Sequence, residues 1–96
     1  MTTETIKATF TLPDTLTVRQ QLKFAAEIGK HAQEGYLIAY WEMGKTVLTN
    51  WQCDLIPDPS AVDIDTETDP RITKIIIKAA NEVAKWYLDL GNVEKN

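Results

Sequence analysis

From Thr5 to Leu12 the chain alternates without a break, with Ile6, Ala8, Phe10 and Leu12 on one face and Thr5, Lys7, Thr9 and Thr11 on the other. A period of two carried by threonine and β-branched residues is the pattern of a half-buried strand. Pro13, which has no amide proton to donate, ends it. Nothing later in the chain alternates as well. A single strand is not a stable unit, because its unpaired amides and carbonyls demand partners. This stretch therefore constrains the fold more than any other. The strand can pair with the weakly alternating Ala61–Ile64 segment, pair with a second copy of the chain, add to the sheet edge of another protein, or lie on the helices as an arm without a ladder.

The remainder reads as helix. Thr17 is a good N-cap and Gln20 completes a capping-box pattern. Val18, Leu22, Ala25, Ala26 and Gly29 then repeat at helical spacing, with Phe24 and Ile28 widening the stripe, and the spacing predicts a helix over 17–33. Gly35 is its stop. A second helix over 36–52 is predicted from Leu37, Tyr40, Trp41, Gly44, Val47, Leu48 and Trp51. So short a connection implies an antiparallel helix hairpin. Folded about Glu34–Gly35, the hairpin sets Ala25, Ala26 and Gly29 near Tyr40 to Gly44, so the mid-helix glycines are read as letting the two backbones approach. Residues 53–69 form an acidic loop punctuated by two prolines. A third helix over 70–90 has Asp69 as its cap, Pro70 at its first position, and a stripe of Ile72, Ile75, Ile76, Ala79, Val83, Trp86, Tyr87 and Leu90. Gly91 ends it, and 92–96 is a polar tail. The expected fold class is mainly α: a three-helix domain, made of the hairpin and the C-terminal helix, with an N-terminal β-strand arm.

The 96 residues allow one domain and one modest core. A core of that size leaves much surface exposed, so association with a partner or a second copy would stabilise the fold. The net charge of -4 is concentrated, since Asp54, Asp58, Asp63, Asp65, Glu67 and Asp69 lie in one segment that has no Lys or Arg. Clustered acids argue against nucleic-acid binding, which needs clustered bases. The opening residues MTTETIKATF carry neither the basic start nor the apolar run of an export signal, and no apolar stretch is long enough to span a bilayer. A lone cysteine, Cys53, suits a reducing compartment. An intracellular protein with no membrane association is expected.

No residue cluster announces a chemistry. His31 shares a helix face with Glu27, but the further ligands of a metal site and the HExxH spacing are absent. Cys53 and His31 lack the third group that would orient a nucleophile and its base. The run DIDTETD spaces Asp63, Asp65 and Glu67 as calcium ligands are spaced. Thr68 then stands where a glycine must turn the chain, and Lys74 where a closing glutamate is needed. We therefore expect no catalytic residue, no metal and no cofactor. The aromatic residues fall mostly on the apolar stripes and are read as core. Tyr36, at the tip of the hairpin, is the exception. The residues expected to meet a partner are Ile6, Ala8, Phe10, Leu12 and Tyr36, and a homo-oligomer through the N-terminal strand is one form that contact could take.

Over residues 8 to 91, with the phrases FTLPDTLTVRQQLKF, YLIAYWEMGKTVLTNWQCDLIPDP and DPRITKIIIKAANEVAKWYLDLG, the chain resembles the small tail assembly chaperones of long-tailed bacteriophages and prophages. The resemblance is one of layout and phrase. It implies a non-enzymatic protein of the host cytoplasm that binds the tape measure protein while the tail tube polymerises and is absent from the finished particle. It carries over no catalytic residue. Two other roles fit the residues: an acidic phage-encoded inhibitor of a host nucleic-acid-binding or defence protein, resting on the acids of 54–69, and a small structural virion protein, resting on the unpaired strand.

Overall fold

The structure, a computed structural model, describes residues 7–90. Thr5, Ile6, Gly91 and the tail 92–96 lie outside the described residues. The elements run β1 (Thr9–Thr11), α1 (Val18–His31), α2 (Tyr36–Gly44), β2 (Thr49–Gln52) and α3 (Pro70–Leu90), with short 3-10 turns at Ala32–Glu34 and Pro59–Ala61. The fold is mainly α, three helices with a small antiparallel sheet formed by the N-terminal strand.

The helix starts follow their local chemistry. At α1 the box closes in both directions, with the Gln20 amide donating to Thr17 Oγ1 (3.2 Å) and the Thr17 amide donating to Gln20 Oε1 (2.8 Å). After α1 the chain tightens into its 3-10 turn and reverses at Gly35, whose φ of +116° is glycine territory. At α3 the Arg71 amide donates to Asp69 Oδ1 (2.9 Å), directly before the helix that Pro70 opens.

The second helix is shorter than its periodicity predicts. It stops at Gly44, not at residue 52. Beyond Gly44 the chain reads Lys45, Thr46, Val47, Leu48, Thr49 and Asn50, and four of these six have branched or short polar side chains that favour strand and turn over helix. The Thr46 hydroxyl closes the end by donating to the Met43 carbonyl (2.7 Å). The released segment becomes β2.

β2 is the partner of the opening strand. β1 and β2 pair antiparallel, Thr9 opposite Gln52 and Thr11 opposite Thr49, with an irregularity between. That register leaves Asn50 and Trp51 facing Phe10 alone, a β-bulge, and Asn50 takes the left-handed conformation at φ +56°. Asparagine is among the few residues that enter that region readily. Asn50 Nδ2 also donates to Thr11 Oγ1 (3.0 Å), and the Thr11 and Thr49 hydroxyls meet at 2.6 Å across the strands. The extra residue shifts the alternation so that Trp51, not Asn50, turns inward. The Ala61–Ile64 segment is no strand: Ala61 ends the second 3-10 turn, while Val62 and Ile64 pack on the cluster around Trp41.

Three contiguous clusters form the core. Phe24, Met43 and Val83 lie at one end, Trp41, Ala79 and Ala80 in the middle, and Ile56, Ile72 and Ile75 at the other. Neither mid-helix glycine serves to bring α1 against α2. A Cβ on Gly44 would stand 2.7 Å from Val83 Cγ2, so this glycine lets α2 approach α3 and not α1. Gly29 faces open space, with nothing within 4 Å of a Cβ placed there. The α1 stripe does not face the core as its periodicity predicts: Val18, Leu22, Ala25, Ala26 and Gly29 are exposed, while Phe24 is buried and Ile28 half-buried. At about 100° per residue, the Phe24–Ile28 arc lies roughly a third of a turn from the Val18–Leu22 arc. The arc with the aromatic ring wins, because it removes more apolar area from water. Phe24 meets Trp86 edge-on (centroids 5.8 Å apart) and Tyr87 at a tilt (5.7 Å).

Candidate partner-binding surface

The alternating face of β1 is turned into the chain's own core. Ala8 packs on the Ile56 cluster, Phe10 on the Trp41 cluster, and Leu12 on the Phe24 cluster. Phe10 stacks on Trp51 at 5.8 Å, and Trp51 meets Trp41 edge-on at 6.3 Å. The Trp51 indole donates to the Ile56 carbonyl (2.6 Å), and Trp86 donates to that of Pro13 (2.7 Å). Trp41 Nε1 is buried and has no acceptor among the described residues. Ile6 lies outside them. Tyr36 is 58% exposed, yet its hydroxyl donates to Asn81 Oδ1 on α3 (3.2 Å) and its ring stands edge-on to Tyr40.

The sheet has two strands, so each has one side with no ladder partner among the described residues. The inward side chains are occupied.

An open groove of about 870 Å³ runs between α1 and α2. Phe24, Met43, Ile38 and Val47 give it apolar lining, and Lys23, Glu27, Lys30, Glu42 and Lys45 line it with charge. His31 also lines it, with Nδ1 2.7 Å from Glu34 Oε1 and Nε2 3.4 Å from Glu27 Oε2. Lys45 pairs with Glu42 at 3.1 Å. Cys53 packs elsewhere, against Ile56, Ile72 and Ile75, so the structure does not bring it together with His31. Among the described residues, no three His, Cys, Asp or Glu side chains are grouped to hold a metal ion.

The acids of 54–69 largely serve their own loop. The Ser60 amide donates to Asp58 Oδ1 and the Asp65 amide to Asp63 Oδ1, each at 2.9 Å, and the Thr68 amide donates to Glu67 Oε2 at 3.2 Å. Short carboxylates stabilise turns in this way by accepting from amides one or two residues on. Asp69 takes the Arg71 guanidinium as well, Nη2 to Oδ2 at 2.8 Å, and these hydrogen bonds hold its carboxyl below the usual carboxylate range. Burial, followed by the neighbouring Tyr87, raises the Tyr40 hydroxyl above its ordinary value.

The surface that sequence periodicity missed is on α1. Val18 is 70% and Leu22 66% exposed, one turn apart on the same helix face. The side chains were legible as apolar, but their direction was not. No helix among the described residues is long and apolar enough to cross a membrane. Comparison with protein-family models, curated proteins and solved structures finds no match to this chain.

Proposed function

We propose that the chain is a non-enzymatic assembly chaperone of phage tail morphogenesis, which binds the tape measure protein in the host cytoplasm while the tail is built. The observation that supports this reading best is the exposed apolar face of α1. A contiguous apolar patch left in solvent along one helix face is the kind of surface that a protein partner covers. The resemblance in layout supplies the identity of that partner. The inhibitor alternative draws less support, since several acids of 54–69 are engaged within their own turns. A structural virion role, or a homo-oligomer joined through the free edge of β1, is the remaining alternative.

Co-expression with the tape measure protein of the same phage or prophage tests the reading. A chaperone co-purifies with it and is missing from purified particles. Retention in particles makes the protein a virion component instead. Failure to co-purify, with capture of a host defence or DNA-binding protein, makes it an inhibitor.

A further inference from the structure

α1 carries two apolar arcs, and only the Phe24–Ile28 arc meets the core. The other, Val18, Leu22, Ala25 and Gly29, follows the i, i+4, i+7, i+11 spacing of one helix face and is exposed throughout. Arg19, Lys23 and Lys30 border it on one side, about 100° to 140° around the helix from Val18. All three are exposed, and none lies within ion-pair distance of a carboxylate among the described residues. In a chain of net charge -4, this basic ridge runs against the overall balance.

We infer that this face docks an acidic amphipathic helix of a partner protein. The partner's apolar stripe would lie over Val18, Leu22, Ala25 and Gly29, and its carboxylates beside Arg19, Lys23 and Lys30. The inference rests on the reading of the chain as a partner-binding protein. Charge decides the occupant. Antiparallel pairing of α1 with α1 of a second copy would set the basic ridge against itself, which is unfavourable. The residue types argue for a helix over a lipid surface. Faces that enter a bilayer interface present bulky apolar and aromatic residues, whereas this one has no aromatic and offers Ala25 and Gly29, over which another backbone can approach closely.

The test uses the full-length chain, isotope-labelled for amide spectra and titrated with an 18-residue helical peptide with a Leu/Ala stripe flanked by Glu. A twin peptide with Lys in place of every Glu is the control. The acidic peptide should bind about tenfold tighter than its twin, the sum of a few exposed ion pairs. It should shift the amides between Arg19 and Lys30, weaken as salt rises, and lose affinity in Leu22→Ser and in the Lys23→Glu/Lys30→Glu double variant. These positions are exposed, so the fold should survive. Equal binding of the two peptides, or no binding, overturns the inference. So do shifts confined to other elements, a response only to phosphatidylglycerol vesicles, or self-association that Leu22→Ser abolishes. If the peptide fails while the tape measure protein is still captured, only the acidic-helix assignment falls. If the peptide binds and the tape measure protein does not, only the tail-assembly reading falls.

Discussion

Phe10 and Trp51 stack with ring centroids 5.8 Å apart and planes 16° from parallel, and the stack exists because Asn50 bulges out of β2. If Asn50 kept to the ladder and did not bulge, alternation from Thr49 would point Asn50 inward and Trp51 to solvent. One residue in the left-handed region thus couples the opening strand to the core. Phe10→Ala should lower stability by about 3 kcal/mol, the low end for a buried phenylalanine because Phe10 is half-buried. Urea unfolding measures the loss, and light scattering should show an unchanged mass. A change of mass at unchanged stability would return the strand to an assembly role.

Gly44 and Gly29 should respond in opposite directions. Gly44→Ala drives a methyl into Val83, whose Cγ2 lies 2.7 Å from the new atom, and should cost about 1–3 kcal/mol. Val83→Ala should recover part of that loss in the double variant, a coupling that a mutant cycle reads directly. Gly29→Ala meets open space and should stabilise by roughly 0.5–1 kcal/mol through helix propensity. Thermal melts of the four variants, the Val83→Ala single among them, check the pattern.

The indoles divide in the same manner. Trp51→Phe leaves the Ile56 carbonyl without its donor, which adds about 1–3 kcal/mol to the loss of ring area. Trp41→Phe removes a buried N–H that has no acceptor among the described residues, so relief of that donor offsets part of its cavity cost. Equilibrium unfolding should therefore rank Trp51→Phe as the more damaging, despite Trp41 being the more buried ring.

Asp69 sets an acid dependence. Its carboxyl is held below the ordinary value of 3.8 by the hydrogen bonds from Arg71, so near that pH the unfolded chain binds more protons than the folded one. The stabilisation is complete above the unfolded value and disappears as pH falls through the lower folded value. Asp69→Asn keeps a good cap but not the charge. Urea midpoints of wild type and variant should differ at pH 5 and converge toward pH 2.

α3 was legible because its signals agree: an Asp-Pro start, one unbroken stripe and no competing pattern. The α1 start was legible for the same reason. β2 was hidden because Tyr40, Trp41, Gly44, Val47, Leu48 and Trp51 keep helical spacing through a turn and into a strand. The bulge at Asn50 removes the alternation that would have exposed it. The clue available was the branched run after Gly44. On α1, periodicity reported apolar residues but could not say which of two neighbouring arcs faces inward. Packing of Phe24 on Trp86 and Tyr87 decides the arc, as pairing with β1 decides β2, and both are tertiary facts.

The N-terminal strand completes the chain's own core, and the outer face of α1 is the proposed partner site. Co-purification of the proposed tape measure partner with a Val18→Ser/Leu22→Ser variant addresses it most directly. Both side chains are exposed and absent from the core, so the melting temperature should stay within a few degrees of wild type. Capture should be lost. Full capture by this variant, with its fold intact, would exclude the outer face of α1 as the partner site.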